Sequence, residues 1–243
     1  MNRPLYFFTD YGHAGPYVGL LHAAARRAGY IGPLVDLQHD APRYSPQAAG
    51  LLLTALLPYI ADGVLVAVVD PGVGGARDGL VLSLGNKQLV GPDNGLFAPL
   101  LADADKIERI DWQPQQCSAS FHGRDWFVPV GVALAHGMPV ERSARSAQQC
   151  VGHAEPLDPG QIIYCDDFGN AMTGLRASAL SPTEQLVVVG RVLPRVRTFS
   201  DVPVGEPLSY ENSLGLMEIA VNQGSAVSLL DLQPSEPVHV IEC

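Results

Sequence analysis

Val64-Leu65-Val66-Ala67-Val68-Val69-Asp70-Pro71-Gly72-Val73-Gly74-Gly75-Ala76-Arg77 is the stretch whose reading decides the fold. Its first six residues are apolar and mostly β-branched, without polar alternation. That is the pattern of a strand buried on both faces, as in a parallel sheet. The run stops at a carboxylate, Asp70; a loop with three glycines follows, and Arg77 closes it. In open α/β sheets ligands bind in the crevice outside the carboxyl ends of the strands, and glycine lets backbone approach a ligand closely. The same residues also fit an ordinary strand-to-loop turn with a surface ion pair, and this stretch alone leaves the two readings even.

Upstream, Leu5-Tyr6-Phe7-Phe8 reads as a short strand running into Thr9-Asp10-Tyr11-Gly12. Pro16 suits the first turn of a helix, Leu20, Leu21, Ala24 and Ala28 form its apolar stripe, and Gly29 stops it. Leu34 to Leu37 is a third strand, followed by His39-Asp40-Ala41-Pro42-Arg43-Tyr44. Ser45-Pro46 caps and opens a second helix that runs to about Leu57. This βαβαβ order predicts an α/β chain whose N-terminal part is an α/β/α domain with a mostly parallel central sheet.

Downstream, Leu80 to Leu84 and Gln88 to Val90 form a hairpin around Gly85-Asn86. Gly91-Pro92-Asp93-Asn94-Gly95 is a second glycine-rich loop after a strand, and Asp125 is placed to cap a helix from Trp126 to His136. Between Gly152 and Gly160 helical stripes give way to Gly and Pro. Short alternating runs follow, at 161–165, 185–189, 216–221 and 238–241, and they predict a smaller all-β, barrel-like domain. The expected domains are 1–154 and 155–243.

With 243 residues, 47% of them hydrophobic and 16% charged, the chain can bury a sizeable core and is not disordered. Its formal net charge of −10 disfavours a nucleic-acid partner and suits a cationic small ligand. Cys117, Cys150, Cys165 and Cys243 lie far apart, and the seven histidines form no ligand-spaced cluster, so no metal is expected. No run is long enough for a membrane span and no signal-peptide pattern is evident, so a cytoplasmic protein without a membrane partner is the expectation.

Six motifs in order give the chain a family resemblance: Phe8 to Gly12 with Tyr17-Val18-Gly19, Val68 to Gly74, Gly91 to Gly95, Phe121 to Asp125, Asp166 to Asn170, and Asn212-Ser213 with Glu218-Ile219-Ala220. Over nearly its whole length it resembles the S-adenosyl-L-methionine (SAM) hydroxide adenosyltransferases, adenosine-forming SAM hydrolases related to SAM-dependent fluorinases and chlorinases. The resemblance implies that water or hydroxide displaces L-methionine at C5′ of SAM, giving adenosine. The sulfonium is already an activated leaving group, so no cofactor is expected. By the same resemblance, Asp70, Arg77 and His122 would hold the reacting water, and Asp10 the ribose hydroxyls, with Tyr44 against the sugar. Asp166 and Ser213 would bind the methionine end, and Phe168 and Asn170 the adenine. Asn94, Arg124 and Asp125 would shape loops, and Glu218 would be structural. The resemblance also implies a homotrimer with sites at subunit interfaces. Halogenating relatives carry Tyr where this chain has Asp70, and an Arg where it has Leu214; His22 replaces a common Lys and has no evident role. The alternatives are a chlorinase-like halogenase and a non-catalytic SAM- or adenosine-binding protein.

Overall fold

A computed structural model describes residues 3–154 and 159–242. The chain divides into two compact units, Met1–Leu53 with Tyr59–Pro156, and Thr54–Pro58 with Leu157–Cys243. The boundary expected near residue 155, like Cys243, lies outside the described residues.

The first half of the chain forms β1 (Leu5–Thr9), α1 (Tyr17–Arg27), β2 (Leu34–Gln38), α2 (Pro46–Leu56) and β3 (Val64–Val68). It continues as β4 (Gly79–Leu84), β5 (Lys87–Pro92), β6 (Lys106–Ile110), α3 (Val128–Ala135) and β7 (Arg142–Ala144). Its seven strands make one sheet in the order β2-β1-β3-β5-β4-β6-β7. Leu5, Phe7, Val64, Val66 and Val68 pack into one buried cluster with Leu21, Ala24 and Ala25 of α1 and Val128, Val130 and Val132 of α3. The alternate residues Tyr6, Phe8, Leu65 and Ala67 are buried too, so β1 and β3 are covered on both faces.

The expected mostly parallel sheet is corrected here. Pairing is parallel from β2 through β1 and β3 to β5, but antiparallel from β5 through β4 and β6 to β7. The reason is the hairpin: β5 takes the place beside β3, so β4 lies outside it and runs the other way, and the next two strands continue that alternation. The sheet is mixed.

The second unit holds β8 (Ile162–Cys165), β9 (Ala171–Arg176), β10 (Glu184–Val188), β11 (Arg191–Leu193), β12 (Pro207–Glu211), β13 (Leu216–Val221), α4 (Ala226–Leu230) and β14 (Val238–Glu242). They form two antiparallel sheets, β12-β13-β9-β8 and β11-β10-β14, around Ile162, Leu186, Met217 and Ile219. Among the described residues no barrel closes, because four strands and three strands end in separate sheets. No helix of the described chain is long and apolar enough to cross a membrane.

Candidate active site

Asp10 follows β1 directly, and Asp70 stands two residues beyond β3. These strands are parallel neighbours with Thr9 opposite Val68, so the two carboxylates leave the same edge of the sheet side by side. Arg77 grips Asp70 from one direction: Nε donates to Oδ1 at 3.1 Å and to Oδ2 at 3.0 Å, and Nη2 also donates to Oδ2. The other Nη2 hydrogen reaches His122 Nδ1 at 2.9 Å. The guanidinium lies over Trp126 and Phe127, 5.6 and 5.1 Å from the ring centres. Only 3% of the Asp70 side chain and 9% of the Arg77 side chain are exposed. Arg77 Nη1 is buried and meets no acceptor among the described residues.

Because a guanidinium carries donors only, His122 Nδ1 must present a lone pair, which puts the imidazole hydrogen on Nε2. Burial pushes the His122 pKa down, and the Arg77 charge pushes it further the same way. A neutral ring with its N–H turned away from Arg77 is the species this geometry selects.

The local sequence explains how His122 arrives there. Gly74 has φ +82°, and a Cβ on it would lie 2.4 Å from the Ala119 carbonyl oxygen. Only glycine lets the 70–77 loop rest directly on the segment leading into His122. One turn of π-helix, Gly123–Phe127, then starts immediately after the histidine, a geometry found disproportionately at functional sites. The helix cap assigned to Asp125 is corrected by this turn. Asp125 lies inside it, pairs with Arg124 at 2.7 Å and accepts the Ser118 N–H at 2.9 Å, while α3 begins only at Val128.

Asn94, read from sequence as a loop former, does more than that. It accepts the Leu96 N–H at 3.2 Å, and its amide also donates to the Val69 carbonyl at 2.9 Å and to Asp70 Oδ1 at 3.2 Å. Asp70 is thus held by β5's end as well as by Arg77. Asp93 beside it is anchored elsewhere, pairing with Arg145 at 3.2 Å and accepting the Val151 N–H.

Asp10 lines a cleft of about 590 Å³ with Tyr11, Tyr17, Arg43, Tyr44 and Phe121; Asp70, Arg77 and His122 are not among its lining residues. Burial raises the Asp10 pKa, opposed by the backbone amides of Asp10 and Tyr44 and by Arg43, while Asp70 adds to the rise. Tyr44 is 80% exposed and has φ 59°, a left-handed conformation that costs a bulky residue energy. Its backbone amide meets Asp10 while its exposed ring lines the same cleft, a position that suits a ligand contact.

In the second unit, Asp166, Phe168, Asn170, Tyr210, Ser213 and Glu218 are among the residues lining a cavity of about 630 Å³. Asp166 organises its own turn: Oδ1 accepts the N–H groups of Phe168 and Asn170 at 3.0 and 2.8 Å, and Oδ2 accepts the Asn170 amide at 3.0 Å. The turn closes tightly because residue 169 is glycine, with φ +81° and a virtual Cβ only 2.0 Å from Ser225 Oγ. It leaves Phe168 81% exposed at the cavity. The Asn170 amide carries two donor hydrogens and an acceptor oxygen, and the bond to Asp166 uses one of those hydrogens. On β13, Glu218 is 2% exposed; it accepts from Tyr210 and, at 2.8 Å, from Asn212. Asn212 in turn receives the N–H groups of Leu214 and Leu216, fixing the loop that carries Ser213. Burial raises the Glu218 pKa, with the Asn212 and Tyr210 bonds opposing.

The predicted residues therefore fall into two groups. Asp10, Tyr44, Asp70, Arg77 and His122 gather in the first unit; Asp166, Phe168, Asn170 and Ser213 line one cavity of the second. Sequence reading missed the Asn94 contact with Asp70 and the Tyr210-Glu218-Asn212 set. Both Asn94 and Glu218 lie in motifs that carry the resemblance, but nothing in those motifs tells which side chains they meet.

Residues 5–144 match the SAM hydroxide adenosyltransferase N-terminal domain and residues 160–239 its C-terminal domain. The chain is similar to the (R)-S-adenosyl-L-methionine hydrolase of Thermus thermophilus, 39% identical over 98% of this chain and 100% of that one. It is similar also to the enzyme of the same name from Salinispora arenicola, 36% identical over 96% of each. Its fold is close to the crystal structure of an uncharacterized conserved protein from Thermotoga maritima, with a TM-score of 0.82, 26% identity, and 98% and 100% of the two chains covered.

Proposed function

This chain belongs to the SAM hydroxide adenosyltransferase family, and from that premise we propose that it hydrolyses SAM to adenosine and L-methionine. One observation carries the reading: a buried carboxylate, guanidinium and neutral imidazole in continuous contact beside a second strand-end carboxylate, with a buried N–H of Arg77 still unmatched by any described protein group. Such a set suits a small oxygen nucleophile. In the proposed reaction the water oxygen bonds to C5′, the C5′–S bond breaks, and its electron pair neutralises the sulfonium as the methionine thioether. The water's proton is released.

Each group's role follows from its hydrogen bonds. Asp70 accepts from the water and aims a lone pair at carbon, while Arg77 Nη1 stabilises the oxygen as it gains hydroxide character. His122, with its hydrogen on Nε2, acts as a second donor to the water rather than as its base. Asp10 and Tyr44 are assigned the ribose, Phe168 and Asn170 the adenine, and Asp166 and Ser213 the amino-acid end. With Leu214 in place of Arg, the methionine carboxylate depends on Ser213 and the loop that Asn212 orders. The chemistry drawn requires no cofactor, since the sulfonium is already activated. A homotrimer belongs to the same proposal, and sedimentation equilibrium would test it.

The activity is tested by incubating purified protein with SAM, with and without chloride, and separating the products. Adenosine plus methionine is expected. A 5′-chloro nucleoside would replace this reading with a halogenase, and unchanged SAM would replace it with a binding protein. Asp70→Ala is expected to lower turnover by about 10²- to 10³-fold while leaving adenosine binding intact; turnover near the parent rate would remove Asp70 from the mechanism.

A further inference from the structure

His22, without a role in the sequence, leads to a chain of side chains behind the Asp10 loop that is open at His22 and Asp36 and buried at His39 and Thr9. From α1 its Nε2 reaches Asp36 Oδ1 on β2 at 2.7 Å. The same oxygen lies 3.0 Å from Nε2 of His39, a contact too bent for a full hydrogen bond. His39 is 0% exposed, and its Nδ1 lies 2.7 Å from Thr9 Oγ1. Thr9 Oγ1 accepts the Tyr11 N–H at 3.3 Å. The main chain doubles the connection: the His39 carbonyl accepts the Gly12 N–H at 2.5 Å, and the Thr9 carbonyl accepts the Ala41 N–H at 3.0 Å.

The hydrogens can be ordered along this chain. A carboxylate 3.0 Å from Nε2 favours a hydrogen on that nitrogen. Nδ1 is then a lone pair and accepts the Thr9 hydroxyl hydrogen, which leaves a Thr9 lone pair for the Tyr11 amide. Burial works against the charge of Asp36, but the contacts from His39 and His22 outweigh it and hold its carboxyl below the usual range. If Asp36 lost its charge, the other tautomer would compete; Thr9 would then accept from both His39 and Tyr11, and its own hydroxyl hydrogen would lose the His39 acceptor. The residue clamped between Thr9 and Tyr11 is Asp10.

We propose that Asp36 and His39 are positioning residues that set the Asp10 carboxylate, through Thr9, for a vicinal diol of a nucleoside. The inference rests on the ribose role given to Asp10 above and adds the residues that aim it. They touch no substrate themselves.

The test is calorimetric titration of the full chain with adenosine and with 2′-deoxyadenosine. The parent protein is expected to prefer adenosine, and Asp10→Ala to erase that preference; if the parent shows none, the ribose role of Asp10 fails and this inference fails with it. Given the preference, His39→Leu and Asp36→Asn are expected to weaken adenosine binding roughly tenfold and 2′-deoxyadenosine binding far less, so the ratio collapses. His39→Asn, which restores an acceptor at the Nδ1 position, should recover part of it. Thr9→Val, nearly isosteric, gives the same readout should His39→Leu not fold. A merely structural role would lower melting temperature, or both affinities together, at a constant ratio, and an unchanged ratio in folded His39→Leu or Thr9→Val overturns the proposal.

Discussion

Asp70 and Asp166 are both carboxylates at strand ends, and they are satisfied in opposite ways. Asp70 is gripped by groups from elsewhere in the chain, Arg77 seven residues away and Asn94 twenty-four away, with His122 a further forty-five beyond Arg77. Asp166 is satisfied by its own turn, through Phe168 and Asn170 within four residues. The first arrangement fixes charge in a dry place, where an electrostatic interaction is strong and needs no reorganisation. The second fixes shape: it spends the carboxylate on folding a loop and leaves an aromatic exposed at the cavity. One region fixes charge, and the other fixes the shape of a cavity wall.

The same contrast appears in the titrating groups. His122 in the first region is pushed down by burial and Arg77, towards the neutral ring. Glu218 in the second is pushed up by burial, towards the neutral acid. Both shifts favour the uncharged form: in the first region a base gives up its proton more readily, and in the second an acid keeps its proton longer.

The sharpest way to break the comparison is to remove the cation. Arg77→Ala leaves the Asp70 side chain, only 3% exposed, buried without its partner. It is expected to cost about 3–5 kcal/mol in denaturant unfolding, together with loss of turnover. Arg77→Lys supplies a charge without the fork that holds two carboxylate oxygens and an imidazole at once, so it should recover stability better than activity. If Arg77→Ala unfolds at the parent midpoint, the pair is not the buried, charge-fixing unit described here.

A smaller effect comes from acid. With a folded pKa below the ordinary 6.5, His122 binds fewer protons folded than unfolded. Its contribution to stability is therefore fully present above pH 6.5 and is lost as pH falls through the folded value. Turnover should fall about tenfold per unit below that value, because a protonated Nδ1 would face the guanidinium with hydrogen against hydrogen. A pH–rate profile compared with that of His122→Asn measures it; identical acid limbs would remove His122 from the cluster's function.

How much of this was legible in the sequence follows from the range of the interactions. The order β1, α1, β2, α2, β3 could be read locally, because hydrophobic period and capping residues lie within a few positions. The six family motifs contain Asp10, Asp70, His122, Asp166, Phe168, Asn170 and Ser213 but neither Tyr44 nor Arg77, and nothing local tells that Asn94 turns to Asp70 or that Asp36 reaches His22. The sheet's direction was misread because a hairpin pattern does not say which of its strands joins the existing sheet. Lys106 to Ile110, with its buried Glu108 paired to Arg142 at 2.9 Å, hides a strand behind charged residues. The short strands β7 and β11 exist through their partners more than through their own composition. Asp125 resembled a cap because a π-turn leaves no signature that distinguishes it from the start of an α-helix.

The smallest expected effect tests the second region alone. Glu218→Gln keeps the shape and can keep both contacts, since the new amide oxygen accepts from Asn212 and its nitrogen donates to the Tyr210 oxygen. For the parent, the folded pKa lies above the ordinary 4.5, so the folded chain holds its proton longer than the unfolded one. The stability this lends is complete below pH 4.5 and is lost as pH rises through the folded value. The glutamine has no proton to lose. Parent and variant should therefore melt together near pH 4 and separate as pH rises, with Glu218→Gln the more stable at neutral pH. Differential scanning calorimetry across that range reads the gap directly. A variant that melts lower at every pH, by a constant amount, would mean that Glu218 works as a charge. The cavity would then resemble the Asp70 site more closely than its hydrogen bonds suggest.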